Sequence, residues 1–133
     1  MSSRDVAGQV ASGKLASSTQ TGARAEDLAL RYLLGQGMRL VQRNYRTPGR
    51  GGGEIDLIMR GADGTLVFVE VRKRSGAGHG GAAASVSAVK QRRIVFAARH
   101  YLARMCILSA CRFDVVALDG ERIEWLQAAF DAA

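Results

Sequence analysis

Apolar residues recur at helical spacing in two stretches of the chain and at strand spacing in five. Ala25, Leu28, Ala29, Tyr32 and Leu33 fall on one stripe of a helix. Thr21 or Gly22 can cap its start, Glu26 and Asp27 suit its positive N-terminal end, and Gly35 and Gly37 end it. Residues 38–46 (MRLVQRNYR) then alternate. Met38, Leu40 and Gln42 face one side and Arg39, Val41 and Arg43 the other, which predicts an outer strand. A glycine-rich loop over 47–53 leads to two strands, 53–60 and 65–74, joined by the turn Gly61-Ala62-Asp63-Gly64. Leu66 to Val69 are continuously apolar, so this strand is expected in mid-sheet, buried on both faces.

A Gly/Ala loop over 75–84 precedes the longest helix, 85–105. Its expected buried side is Val86, Val89, Ile94, Ala97, Ala98, Tyr101 and Leu102, with Arg92, Arg93, Arg99 and Arg104 mostly elsewhere. Residues 111–127 read as two strands around an Asp119-Gly120 turn. The order helix, three strands, helix, two strands predicts one α/β domain over 22–133, a mixed central sheet flanked by helices. Residues 1–21 are Ser, Ala, Gly and Thr-rich with no aromatic, which predicts a disordered tail.

Composition narrows the class. A chain of 133 residues is one domain and long enough to bury a core without staples. No apolar run approaches the ~18 residues that a membrane span needs, and the N-terminal segment has no apolar block of the kind a secretory signal carries. Two cysteines are too few for a disulfide framework. These features predict a soluble cytoplasmic protein. The net charge is +7, and Lys14, Lys73 and Lys90 are the only lysines, so the cations are mostly arginines, the better fork for phosphate oxygens. Arg4, Lys14 and Asp5 leave the tail nearly neutral, so the domain itself is basic. A basic domain favours a polyanionic partner such as nucleic acid, though an arginine-rich proteome would give the same balance.

Charged residues interrupt the two strands most in need of burial: Glu54 and Asp56 in GEIDL, and Glu70 and Arg72 in FVEVR. A carboxylate in such a place costs several kcal/mol unless a metal or a cation compensates. With a three-residue loop Ala62-Asp63-Gly64 and Gly64 left-handed, Gly61 faces Thr65 and Asp56 stands opposite Glu70. Opposed residues share a face, and alternation adds Glu54 and Arg72 to it. Two adjacent carboxylates raise a pKa or recruit a divalent cation, and an all-oxygen site suits Mg²⁺ or Mn²⁺. A loop one residue longer or shorter would separate the two acids, and simple pairing with arginines is the alternative.

Six blocks carry a family resemblance: Gly22-Ala-Arg-Ala-Glu26, Arg43-Asn44-Tyr45-Arg46, Gly53-Glu54-Ile55-Asp56-Leu57-Ile58, Phe68-Val69-Glu70-Val71-Arg72-Lys73-Arg74, Lys90-Gln91-Arg92-Arg93-Ile94 and Arg112-Phe113-Asp114-Val115-Val116. In this order they resemble the YraN-like family of small bacterial proteins, a branch of the restriction-endonuclease-like PD-(D/E)xK nucleases that include archaeal Holliday-junction resolvases. The resemblance spans residues 22–130. It implies an αβββαβ core, with Asp56 the metal-binding aspartate, Glu70 the acid of the E-x-K motif and Glu26 a helix-borne third acid. It further implies Mg²⁺- or Mn²⁺-dependent phosphodiester cleavage, DNA as the partner, no membrane, and a homodimer as one assembly to test for. Arg43, Arg46, Arg74, Arg92 and Arg93 are the candidate backbone-gripping cations.

One position departs from that pattern: Arg72 stands where the superfamily has lysine. Arginine stays protonated and is a poor general base. Lys73 points to the other face, which leaves Lys90 on the long helix as the substitute ammonium, or a binding module that has lost catalysis. A further rival is a small-ligand domain using Arg72 and Arg74 for an acidic metabolite. Cys106, Cys111, His79 and His100 match no common zinc spacing and read as two buried thiols and unrelated histidines. Gly51-Gly52-Gly53 reads as a flexible connector rather than a phosphate loop. The 75–84 loop is either a lid or a linker, and Trp125 and Phe130 read as packing residues.

Overall fold

In the computed structural model, residues 18–74 and 86–132 are described. The expected tail lies mostly outside them, as do His79 and the whole 75–84 loop. The elements are α1 (Ser18–Gly35), β1 (Arg39–Arg46), β2 (Glu54–Arg60), β3 (Leu66–Lys73), α2 (Ala88–Met105), β4 (Cys111–Asp119) and β5 (Arg122–Phe130). α1 thus begins about one turn before the Thr21–Gly22 start expected from capping chemistry. The five strands form one sheet in the order β1-β2-β3-β4-β5. Only the β3–β4 pair is parallel, and α2 supplies the crossover that a parallel connection requires. The sheet is therefore mixed and flanked by helices, as the element order predicted.

β3 is the central strand because its apolar run can be covered from both sides. One core joins Phe68, Ile58, Phe113 and Val115 to Ile94, Ala97, Ala98 and Tyr101 of α2. The other joins Leu57, Val67, Val69 and Val116 to Ala25, Ala29 and Leu33 of α1. β1 is an edge strand with only Tyr45 buried along it. Its regular alternation is broken by a register shift between Leu40 and Gln42 and by Asn44 at φ 52°.

The expected buried side of α2 needs correction at its first turn. Val89 is exposed and Val95 is buried instead, because the helix starts at Ala88 with Ser87 as its N-cap, which sets the phase of the stripe. The cysteines need correction too: both thiols are free and exposed. Cys106 is the left-handed C-cap of α2 and Cys111 opens β4 before that strand enters the core. His100 Nδ1 is hydrogen-bonded to the Tyr45 hydroxyl. Trp125 packs edge-on to Tyr32 and Phe130 stacks on Phe113. No helix among the described residues is long and apolar enough to cross a membrane.

Candidate active site

The β2–β3 hairpin sets the register that brings two acids together. The Gly61 N–H donates to the Thr65 carbonyl at 2.9 Å and Gly64 takes φ +92°, a conformation open to a residue without Cβ. The ladder then pairs Arg60 with Leu66 through to Leu57 with Val69. One step further lie Asp56 and Glu70. There the strand ladder gives way, and the Val71 N–H donates to Asp56 Oδ2 at 2.8 Å. The aspartate side chain thus occupies a place that the partner backbone would otherwise fill.

Glu70 is 3% exposed, and its carboxyl group hydrogen-bonds that of Asp56. Burial, and then the Glu70 charge, push Asp56 up to about 7, against the opposing hydrogen bond from Val71. Burial also raises Glu70, while Lys90 and Arg72 pull the other way. Two acids this close in a low-dielectric pocket cannot both ionise cheaply, and both are held above the ordinary carboxylate range.

Two cations meet the same oxygen. Lys90 Nζ and Arg72 Nη1 each stand 3.7 Å from Glu70 Oε2. Lys90 reaches it from the first turn of α2, where its own backbone N–H is held by the Ser87 hydroxyl at 3.1 Å. Arg72 makes no two-pronged clamp on Glu70, and its buried Nε has no partner. Lys73, one residue on, is exposed.

Glu26 does not join the pair. Burial raises its pKa first and the Asp56 charge second, so the two acids sense each other across α1 and β2. Its oxygens are engaged elsewhere: Arg43 Nη2 lies 3.4 Å from Oε1. In the amide orientation that satisfies both groups, Asn44 donates to both oxygens at 3.1 and 3.2 Å. Among the described residues, no three His, Cys, Asp or Glu side chains are grouped to hold a metal ion. Glu26 thus stands near enough to feel the Asp56 charge, with its own oxygens engaged by Arg43 and Asn44.

The candidate backbone-gripping arginines divide by environment. Arg43 is held by Glu26 and, at 2.9 Å, by Asp27. Arg74 is largely buried, 3.6 Å from Glu124. Arg46 is 74% exposed and 3.5 Å from Glu54. Arg92 and Arg93 are exposed on α2. The sequence reading assigned no role to Asp114, which is fully buried and accepts from Arg112 Nε, Trp125 Nε1 and the Ala128 N–H at 2.9–3.0 Å. It holds the irregularity between Phe113 and Val115, where Ala128 has φ 52°. A lone acid inside the apolar run RFDVV was the available signal.

Comparison with known proteins gives the chain a family. The family model for "Uncharacterised protein family UPF0102" matches residues 25–118. A UPF0102 protein of Albidiferax ferrireducens is 66% identical, over 90% of this chain and 93% of its own. One from Polaromonas naphthalenivorans is 59% identical, over 95% of this chain and 88% of its own. A third, from Paracidovorax citrulli, is 57% identical, over 97% and 96%. With its mixed sheet between two helices and its acids at the end of the β2–β3 ladder, the chain belongs to the UPF0102 or YraN-like family, a branch of the PD-(D/E)xK nuclease superfamily.

Proposed function

We propose that this protein binds DNA and cleaves its phosphodiester backbone at a divalent-metal site built on Asp56 and Glu70. The observation that carries the reading is the buried, hydrogen-bonded carboxyl pair with a lysine ammonium 3.7 Å away. A protein that keeps two acids and a lysine together in a dry place gives up stability for it, and such strain concentrates at functional sites. The donor set fits Mg²⁺ or Mn²⁺: two hard carboxylates, with water and phosphate oxygens completing the shell. Such an ion, when bound, lowers the pKa of a water and neutralises charge growing on the phosphate.

The chain's own residues have separable tasks. Asp56 and Glu70 would hold the ion, and would release bound proton to do so. Lys90 presents a compact ammonium that can orient a water or lose its proton, which Arg72 cannot do. Arg72 keeps a fixed positive charge beside Glu70 and the phosphate.

A catalytically silent binding module is the second reading. It is favoured by the two cations already on Glu70 and by the engagement of Glu26 with Arg43. Cleavage of linear, branched and single-stranded DNA with Mg²⁺ or Mn²⁺ decides between the two. The nuclease reading expects cleavage that falls at least roughly 100-fold in Asp56→Asn and in Glu70→Gln. DNA that is bound but left intact on every substrate form would leave the binding module standing.

A further inference from the structure

A second feature shares Lys90 with the carboxyl pair. Between the 47–53 loop and the first turns of α2 runs an open polar groove of about 440 Å³. Three cations line it, Arg46, Lys90 and Arg93, against one acid, Glu54. Lys90 belongs to both places, since its Nζ also stands 3.7 Å from Glu70 Oε2. Lys90 therefore links the groove to the candidate reaction centre.

Its walls are built rather than loose. The Thr47 hydroxyl accepts from the Gly53 N–H at 2.8 Å, and the Thr47 N–H donates to the Gly53 carbonyl at 3.1 Å. A Cβ at Gly53 would collide with the Arg93 carbonyl oxygen, and one at Gly52 with the Thr47 hydroxyl. The loop can lie this close to α2 only because Gly53 lacks a side chain. This corrects the reading of Gly51–Gly53 as a flexible connector. The close approach fixes the Arg93 backbone beside the loop.

We infer that this groove is a strand-binding subsite, taking the sugar-phosphate backbone of one polynucleotide strand next to the bond at Asp56 and Glu70. The inference rests on the nuclease reading for its direction but not for its binding chemistry. Charge selects the ligand class: three cations against one acid favour a polyanion. Size selects the unit, because a groove of this volume takes a nucleotide-sized segment and not the breadth of a duplex. Arg46 and Arg93 supply the fork geometry that phosphate oxygens match. Arg93 has no acid partner among the described residues, so its charge is available. Single-stranded DNA and one strand of a duplex offer the same backbone, and the two are separated by the probes below.

The test is fluorescence polarisation with a labelled single-stranded oligonucleotide and its duplex, in EDTA so that no cleavage occurs. Arg46→Gln/Arg93→Gln is compared with wild type and with Arg104→Gln, an exposed arginine in the last turn of α2. Unchanged thermal melting confirms that each variant is folded. The groove double variant should bind at least roughly tenfold more weakly at low salt, and its slope of log affinity on log salt should be shallower by about 2. Arg104→Gln should bind like wild type. A stronger loss on single-stranded DNA assigns the groove to an unpaired strand, and an equal loss on both probes assigns it to one strand of a duplex. Equal losses in the groove variant and in Arg104→Gln would overturn the inference, as would no loss in the groove variant. If wild type binds through the groove but never cuts, the nuclease reading fails and the groove stands. If wild type cuts and the groove variant binds and cuts normally, the groove fails and the nuclease reading stands.

Discussion

Burial sets Asp56 against the fold once its carboxyl ionises. Its ordinary pKa of 3.8 rises to about 7 in the folded protein, so the folded state holds its proton more tightly than the unfolded chain does. Between those values the native protein binds more protons, and stability contributed at this position falls as pH rises from about 4 to about 7. Asp56→Asn removes the titration and keeps a carbonyl oxygen for the Val71 N–H. In metal-free buffer at pH 8 the variant should be more stable by about 1–3 kcal/mol, read as a higher urea midpoint, with the gain vanishing near pH 4. A variant less stable than wild type at pH 8 would show that the carboxyl pair is not strained. Asp114 is the opposite case. It is fully buried but fully partnered, so Asp114→Ala should cost about 3–5 kcal/mol by stranding Arg112, Trp125 and Ala128. Chemical denaturation measures it, and a loss below 1 kcal/mol would mean the bulge holds itself.

Two residues test how the site tolerates its arginine. If Lys90 supplies the ammonium, Lys90→Ala should abolish metal-dependent cleavage and Arg72→Lys should change it little, because Lys90 already meets Glu70 Oε2. If drift at Arg72 has weakened the site, Arg72→Lys should raise the rate by a factor within about 10²–10⁴. Initial rates on one labelled substrate distinguish the two.

At the scale of elements, the hairpin was the most legible part of the sequence. Gly61 and Gly64 fix the loop length, loop length fixes the register, and register places Asp56 opposite Glu70. The apolar run of β3 likewise placed it in mid-sheet, because no other position covers both faces. The fate of Glu26 was not legible. Its partners Arg43 and Asn44 come from β1, and nothing local to α1 reveals that α1 crosses β1 there. The cysteines misled for a related reason: hydrophobic character says nothing about a C-cap position. The glycines of the 47–53 loop read as slack because sequence shows missing side chains but not the helix backbone that needs them missing. Gly53→Ala tests that close approach. Its Cβ would strike the Arg93 carbonyl, so α2 must shift or the loop must open. A loss of about 1–3 kcal/mol by thermal denaturation is expected, and a neutral result would mean the loop yields freely.

For the molecule as a whole, charge and chemistry converge on one end of the sheet. The net charge is +7, yet several arginines serve the fold: Arg43 ties β1 to α1, Arg112 supports Asp114, and Arg74 lies against Glu124. Beside the acid pair, Lys90 and the groove cations Arg46 and Arg93 line one open surface. Binding to DNA should therefore weaken by roughly tenfold or more between 50 and 200 mM salt, as a few phosphate contacts release their counterions. An affinity indifferent to salt would exclude a phosphate-tracking surface.

The carboxyl pair itself is best tested without any nucleic acid. Titration calorimetry with Mn²⁺, run near pH 6.5 in two buffers of different ionisation heat, counts the protons released as the ion binds. The account predicts one Mn²⁺ per chain, release approaching one proton as Asp56 and Glu70 become ligands, and loss of both signals in Asp56→Asn. Absence of Mn²⁺ binding, or binding that Asp56→Asn leaves unchanged, would contradict it.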